Sequence, residues 1–121
     1  MAPTPTVFHY PGCSTCKKAL RWLEAAGVSV EPVDIVLTPP DRATLAAAVT
    51  RSGLPIERFF NTSGQSYRQG GFSARLPGMS LGDKLDALAA DGKLIKRPLL
   101  IGAAGVLVGF KQPEWEAMFG G

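Results

Sequence analysis

The order of the residues predicts an α/β fold. Its core is a small mixed sheet assembled as βαβ and later ββα, with a helical insertion between the second and third strands. Three observations predict it. Two β-prone runs flank a helix-periodic run within residues 7–36. A Pro39-Pro40 break then opens a stretch, about residues 40–92, in which helical patterns and turn residues follow one another without a strand signal. After Arg97, two apolar runs are separated by a short turn and followed by an aromatic-bearing helical pattern. The 121 residues are read as one domain, long enough for a core, with residues 1–6 a flexible leader.

Each element has a local cause. Val7 to Tyr10 form the first strand, and Pro11-Gly12 turns the chain. From about Ser14, Cys16, Ala19, Leu20, Leu23 and Ala26 recur at helical spacing, with Lys17, Lys18, Arg21 and Glu24 between them. Gly27 closes that helix as a C-cap. Val28, Val30, Val33, Ile35 and Val36 mark a second strand at about 29–36. Strand, helix and strand in so short a span predict parallel neighbours.

Thr38 or Asp41 caps the next helix, which carries Leu45, Ala46 and Val49 and ends at Gly53. Pro55 to Phe60 reads as one more helical turn, with Phe59 and Phe60 as core anchors. Asn61 to Tyr67 is polar, and Gly70, Gly71, Pro77 and Gly78 make this the loosest region. Ser80 caps a helix with Leu81, Leu85, Leu88 and Ala89 on one face, closing at Asp91-Gly92. Arg97 to Gly102 and Val106 to Phe110, joined by Ala103-Ala104-Gly105, predict an antiparallel hairpin. Gln112-Pro113 opens a final helix bearing Trp115, Met118 and Phe119; Trp22 and Trp115 are read as packing residues.

Composition narrows the function classes. With 45% hydrophobic and 19% charged residues the chain is that of a globular protein. The net charge of +3 comes from basic residues scattered along the chain, Lys17-Lys18 and Lys96-Arg97 being the only adjacent pairs. That pattern does not describe direct nucleic-acid binding; it permits an acidic partner or an oxyanion. The first residues lack the pattern of a signal peptide, and no apolar stretch is long enough to span a membrane. The expectation is a cytoplasmic protein whose thiols stay reduced, acting as a monomer.

Both cysteines and the one histidine lie within the eight positions His9 to Cys16. Cys13 falls at the mouth of a helix, where unpaired N–H groups and the dipole favour a thiolate, and Lys17 and Lys18 add positive potential. Cys16 falls on the buried stripe. An exposed nucleophile followed by a protected resolving thiol fits this asymmetry. Zinc is disfavoured by ligand counting, since two cysteines and one histidine do not complete a tetrahedral set. His9 on a strand reads equally as a core histidine or as a neighbour of the thiolate.

The chain resembles the arsenate reductase ArsC family and its Spx-type (Spx/MgsR) relatives, which have a thioredoxin-like fold. The matching marks are Phe8 to Cys13, Pro39-Pro40, Arg58-Phe59-Phe60-Asn61-Thr62, Leu94 to Pro98, and the run Val106 to Phe110. The resemblance implies that Cys13 is the nucleophile, Cys16 the resolving thiol, Arg97 an oxyanion-binding residue and Pro98 the cis-proline beside the cysteine. It implies no metal or organic cofactor; electrons come from a small thiol, glutathione with glutaredoxin, or a thioredoxin-type protein. The family uses three arginines, and Arg97 alone matches. Asn61 takes one of the other positions and Phe110 or Lys111 the second, with Arg58, Arg68 and Lys111 as substitutes for the missing charge. An amide does not replace a bidentate guanidinium, so weak arsenate turnover is expected. Cys16 is shared with the Spx side of the family, and the alternative it implies is a redox-sensing regulator acting through RNA polymerase.

Overall fold

The computed structural model describes residues 3–120, which fall into two compact units. One comprises the chain up to Asp34 together with the chain from Arg97 onward; the other is Ile35–Lys96.

The first unit is a four-stranded sheet with two helices. Strands β1 (Thr6–His9), β2 (Glu31–Asp34), β3 (Leu99–Gly102) and β4 (Gly105–Val108) lie in the order β2-β1-β3-β4. β1 runs parallel to β2 and antiparallel to β3, and β3 runs antiparallel to β4, so the sheet is mixed as expected. The β3–β4 hairpin closes through Ala103-Ala104, with Gly102 opposite Gly105. β2 is shorter than the 29–36 run suggested. The leader also yields to pairing: Thr6 belongs to β1, and the Pro5 carbonyl accepts a hydrogen bond from the Glu31 N–H at 2.8 Å. Met1 and Ala2 of that leader lie outside the described residues.

Helix α1 (Ser14–Ala25) joins β1 to β2, and α6 (Gln112–Phe119) follows β4. Ala26 caps α1 and Gly27 follows at φ +73°. The Gly27 N–H reaches the Glu24 carbonyl and the Val28 N–H the Leu23 carbonyl, the paired bonds of a Schellman stop. A side chain at that φ is strained, which is why glycine stands there. Val7, Leu100 and Leu107 of the sheet pack with Ala19 and Leu23 of α1 and Trp115 of α6. Both helices therefore cover the same face of the sheet. Trp115 is fully buried, donates its indole N–H to the Gly109 carbonyl at 3.1 Å, and meets Phe110 and Trp22 edge-on. Its polar atom is thus satisfied inside the core.

The second unit is helical. Its elements are α2 (Arg42–Ser52), α3 (Gln65–Gln69), α4 (Phe72–Arg75) and α5 (Leu81–Ala90), with short 3₁₀ turns at Ile56–Phe59, Leu76–Gly78 and Gly92–Leu94. Of the two cap candidates for α2, Asp41 takes the role: its carboxylate accepts from the Thr44 N–H at 2.7 Å, and hydrogen bonding with Thr44 holds it below the usual carboxylate range. Ser80 and Asp83 form a reciprocal capping box on α5. Phe59 and Phe60 are buried as expected.

Two expectations change. The region read as loosest holds α3 and α4, fixed by rings rather than periodicity: Tyr67 stacks on Phe72, Phe60 meets both, and the Arg75 guanidinium lies 4.4 Å from the Phe72 centroid. Leu81, assigned to the apolar face of α5, is 59% exposed, while Leu85 and Leu88 are buried. It sits at the first helical position, one turn before the stripe reaches the core. Gly92 is required for a different reason: a Cβ there would fall 1.8 Å from the Ile35 carbonyl oxygen.

Trp115→Ala should destabilise the protein by about 3–5 kcal/mol, the cost of deleting a buried indole. Leu81→Ala should stay within about 0.5 kcal/mol. Urea unfolding monitored by circular dichroism measures both, and a large loss for Leu81→Ala would contradict its exposure.

Candidate functional site

The site is built where β1 ends and α1 begins. Tyr10 to Cys13 form a tight turn closed by the Cys13 N–H donating to the Tyr10 carbonyl at 2.9 Å. Cys13 then occupies the N-cap of α1 with extended backbone (φ −93°, ψ 112°), the position where serine or aspartate is more usual. Its Sγ accepts a hydrogen bond from the Cys16 N–H at 3.2 Å, and its carbonyl accepts one from the Lys17 N–H at 3.1 Å. The sulfur thus receives one of the donors that a helix leaves unpaired at its amino end.

Cys13 is half-buried and Cys16 fully buried; both are free thiols. The Cys16 thiol is pushed up to about 12. Burial is the main cause, reinforced by the hydrogen bond and, less, the charge of Cys13; the Tyr10 backbone and the Arg97 charge pull the other way. The two sulfurs, one helical turn apart, thus differ in exposure, Cys13 being half-buried and Cys16 fully buried.

Arg97 precedes Pro98 across a cis peptide bond, the isomer expected there. Its guanidinium lies over the Tyr10 ring, with Cζ 4.9 Å from the ring centroid, and its charge acts on Cys16. His9 ends β1, half-buried, in register with Asp34 of β2. Lys17 and Lys18 are exposed on α1. Cys13, Cys16, Arg97 and Pro98, the residues singled out in the sequence, thus share one unit.

The other residues weighed in the sequence for oxyanion binding are spread over both units. Phe110 packs on Trp115 with centroids 5.2 Å apart. Lys111 is exposed and serves α6 through its carbonyl, which accepts from the Glu114 N–H. Arg58, Arg68 and Asn61 belong to the helical unit. There Arg68 donates to the Ser63 carbonyl at 3.0 Å, and the Asn61 N–H bonds the Leu94 carbonyl at 2.8 Å. The residue that sequence reasoning missed is Tyr10, taken only as a strand former. Its contact with Arg97 joins positions far apart in the chain, and no local pattern signals it. Among the described residues, no three His, Cys, Asp or Glu side chains gather as a metal cage, and no helix is long and apolar enough to cross a membrane.

Comparison with known proteins agrees with this geometry. Residues 8–118 match the ArsC family. The chain is 43% identical over 111 residues to the uncharacterized protein YusI of Bacillus subtilis, covering 92% of this chain and 94% of that one. A crystal structure of a putative ArsC family related protein from Bacteroides fragilis superposes with a TM-score of 0.93 at 42% identity, over 98% of this chain and 99% of that one. An arsenate reductase of Rhizobium meliloti is 29% identical over 102 residues, 84% of this chain and 71% of its own. The global transcriptional regulator Spx of Streptococcus pyogenes is 24% identical over 112 residues, 93% of this chain and 82% of its own. The thioredoxin-like α/β fold expected from the sequence is the one observed.

The asymmetry of the thiols sets the order of their modification. At pH 8 a thiol at about 12 carries roughly a thousandfold less thiolate than one at the ordinary 9.0, since 12 − 9.0 is three units. Iodoacetamide should label Cys13 first in the folded protein, because Cys16 is both buried and pushed up while Cys13 is the more exposed thiol. In Cys13→Ser, Cys16 should react at least about a hundredfold more slowly than in the urea-unfolded chain, because burial, the main cause, persists. Its rate should climb about tenfold per pH unit through pH 9–11. Equal labelling of the two cysteines by mass spectrometry would count against this arrangement.

Proposed function

The chain belongs to the ArsC family, and from that premise we propose that it is a cytoplasmic thiol–disulfide oxidoreductase with Cys13 as nucleophile and Cys16 as resolving thiol. The observation that carries this reading is the N-cap position of Cys13, with its sulfur accepting the Cys16 N–H, one turn from a buried second thiol. In the proposed reaction the Cys13 thiolate attacks one sulfur of a disulfide R–S–S–R′. A Cys13–S–S–R bond forms, the S–S bond of the substrate breaks, and R′S⁻ leaves to take a proton from water. Cys16 then attacks the Cys13 sulfur, its proton passing to the departing RS⁻. The protein is left with a Cys13–Cys16 disulfide and the substrate has gained two electrons. Two molecules of glutathione, or the dithiol of a thioredoxin- or glutaredoxin-type protein, return those electrons. The high proton affinity of Cys16 keeps it silent until Cys13 has reacted.

Arsenate is a different demand. An oxyanion must be held for in-line attack, and each positioned cationic donor supplies roughly a hundredfold or more in rate. Arg97 is the one arginine in family position. Purified protein should therefore reduce a small disulfide with glutathione as reductant and turn over arsenate poorly. Cys13→Ser should abolish the disulfide activity, and Cys16→Ser should stall at a mixed disulfide visible by mass. Efficient arsenate reduction that collapses in Arg97→Ala would overturn the expected preference.

The identity to Spx supports a second reading, a redox-switched regulator whose partner is RNA polymerase. Retention of RNA polymerase by the protein in one thiol state, with no turnover of disulfide or arsenate, would favour it over the enzyme. Retention in neither state, together with disulfide turnover, would favour the enzyme.

A further inference from the structure

The side chain of Tyr10 has no part in the thiol chemistry above, yet Tyr10 meets several components of the site. Its carbonyl closes the turn that carries Cys13, and its backbone hydrogen-bonds with Cys16. Any residue offers that much. The ring adds two contacts. One is against Gly12, where a Cβ would come to 3.3 Å of the ring edge, so glycine leaves room for the ring. The other is the Arg97 guanidinium, Cζ 4.9 Å from the ring centroid. A cation within about 6 Å of an aromatic centroid is attracted by the ring quadrupole. A guanidinium held through its face keeps its N–H donors in the plane, where carboxylates are bound. The ring face is one of the contacts that place this long side chain beside the dithiol turn.

We propose that Tyr10 is a positioning residue, whose ring holds the Arg97 guanidinium so that the site prefers anionic, carboxylate-bearing thiols and disulfides over neutral ones. The inference rests on the reading in which Arg97 serves the cysteine pair. It gives that reading a substrate class and assigns the selectivity to a residue outside the reacting groups.

The test compares alkylation of Cys13 by iodoacetate, an anion, with alkylation by neutral iodoacetamide. Both reagents consume the same thiolate, so the ratio of their rates reports the local positive charge and not the thiolate fraction. Tyr10→Leu should lower the ratio by roughly two- to fivefold, the range of a half-exposed cation–π contact. Arg97→Ala should lower it at least as far, and Tyr10→Phe should leave it unchanged. In the Arg97→Ala background, Tyr10→Leu should have no further effect, because the two residues act as one unit. A drop for Arg97→Ala with none for Tyr10→Leu would overturn the platform and leave the Arg97 reading standing. An equal drop for Tyr10→Leu in both backgrounds would make the ring structural only and also overturn it. No drop for Arg97→Ala would overturn both. Should Tyr10→Leu not fold, the wild-type protein still decides: the Arg97 side-chain resonances should be displaced upfield by the Tyr10 ring current, and their absence from that range would sink the proposal.

Discussion

One hydrogen bond ties the chemistry of this chain to its secondary structure: the Cys16 N–H donating to the Cys13 sulfur at 3.2 Å. It begins α1, because a side-chain acceptor at the N-cap satisfies a donor that the helix itself leaves open. It also orients Cys13 toward the amino end of the helix while the helical repeat carries Cys16 to the covered side. The same turn of backbone therefore makes one sulfur accessible and the other withdrawn. No other pair of residues has to be brought together to obtain a dithiol.

That bond persists only if α1 is held at the end of β1. The hold comes from the sheet face on which Ala19 and Leu23 meet Val7, Leu100, Leu107 and Trp115. Trp115 matters most because it fills the space beside α1 and returns its N–H to the Gly109 carbonyl, so the indole is buried with no polar debt. Gly109 itself, at φ +74°, donates to the Pro98 carbonyl at 2.8 Å. The C-terminal helix is thus linked through one glycine to the proline that follows Arg97.

Much of this was legible in the sequence, and the reasons differ by element. The βαβ unit and the hairpin follow from runs long enough to show their period, and Asp41 and Ser80 announce their helices by side-chain chemistry. The unequal placement of Cys13 and Cys16 follows from counting along a helix. Helices α3 and α4 escaped because four or five residues cannot display a 3.6-residue repeat, and rings brought together by the fold hold them. Leu81 escaped because periodicity gives a direction around the helix but not the point along it where the core begins. Tyr10 escaped because its partner lies on the far side of the helical segment in sequence. Arg97 was found, but only through likeness to a family, since a lone arginine before a proline has no meaning of its own.

The charge that reaches the dithiol decides between the chemistries open to it. A disulfide offers a neutral, polarisable sulfur to attack, and its leaving group carries away the charge that the nucleophile brought. The step needs a thiolate, a line of approach and a second thiol, and the first turn of α1 holds the two thiols one turn apart with Cys13 the more exposed. An oxyanion brings its own charge and loses its hydration on binding, so it asks the protein for several fixed cations at once. The family resemblance puts Asn61 at one of those positions and Phe110 or Lys111 at the other, and Phe110 packs on Trp115. An arginine at position 110 would put a charge into the aromatic cluster that steadies α6 and, through it, α1. In this chain Phe110 is thus part of the aromatic packing that supports the dithiol unit, where a charge would be costly.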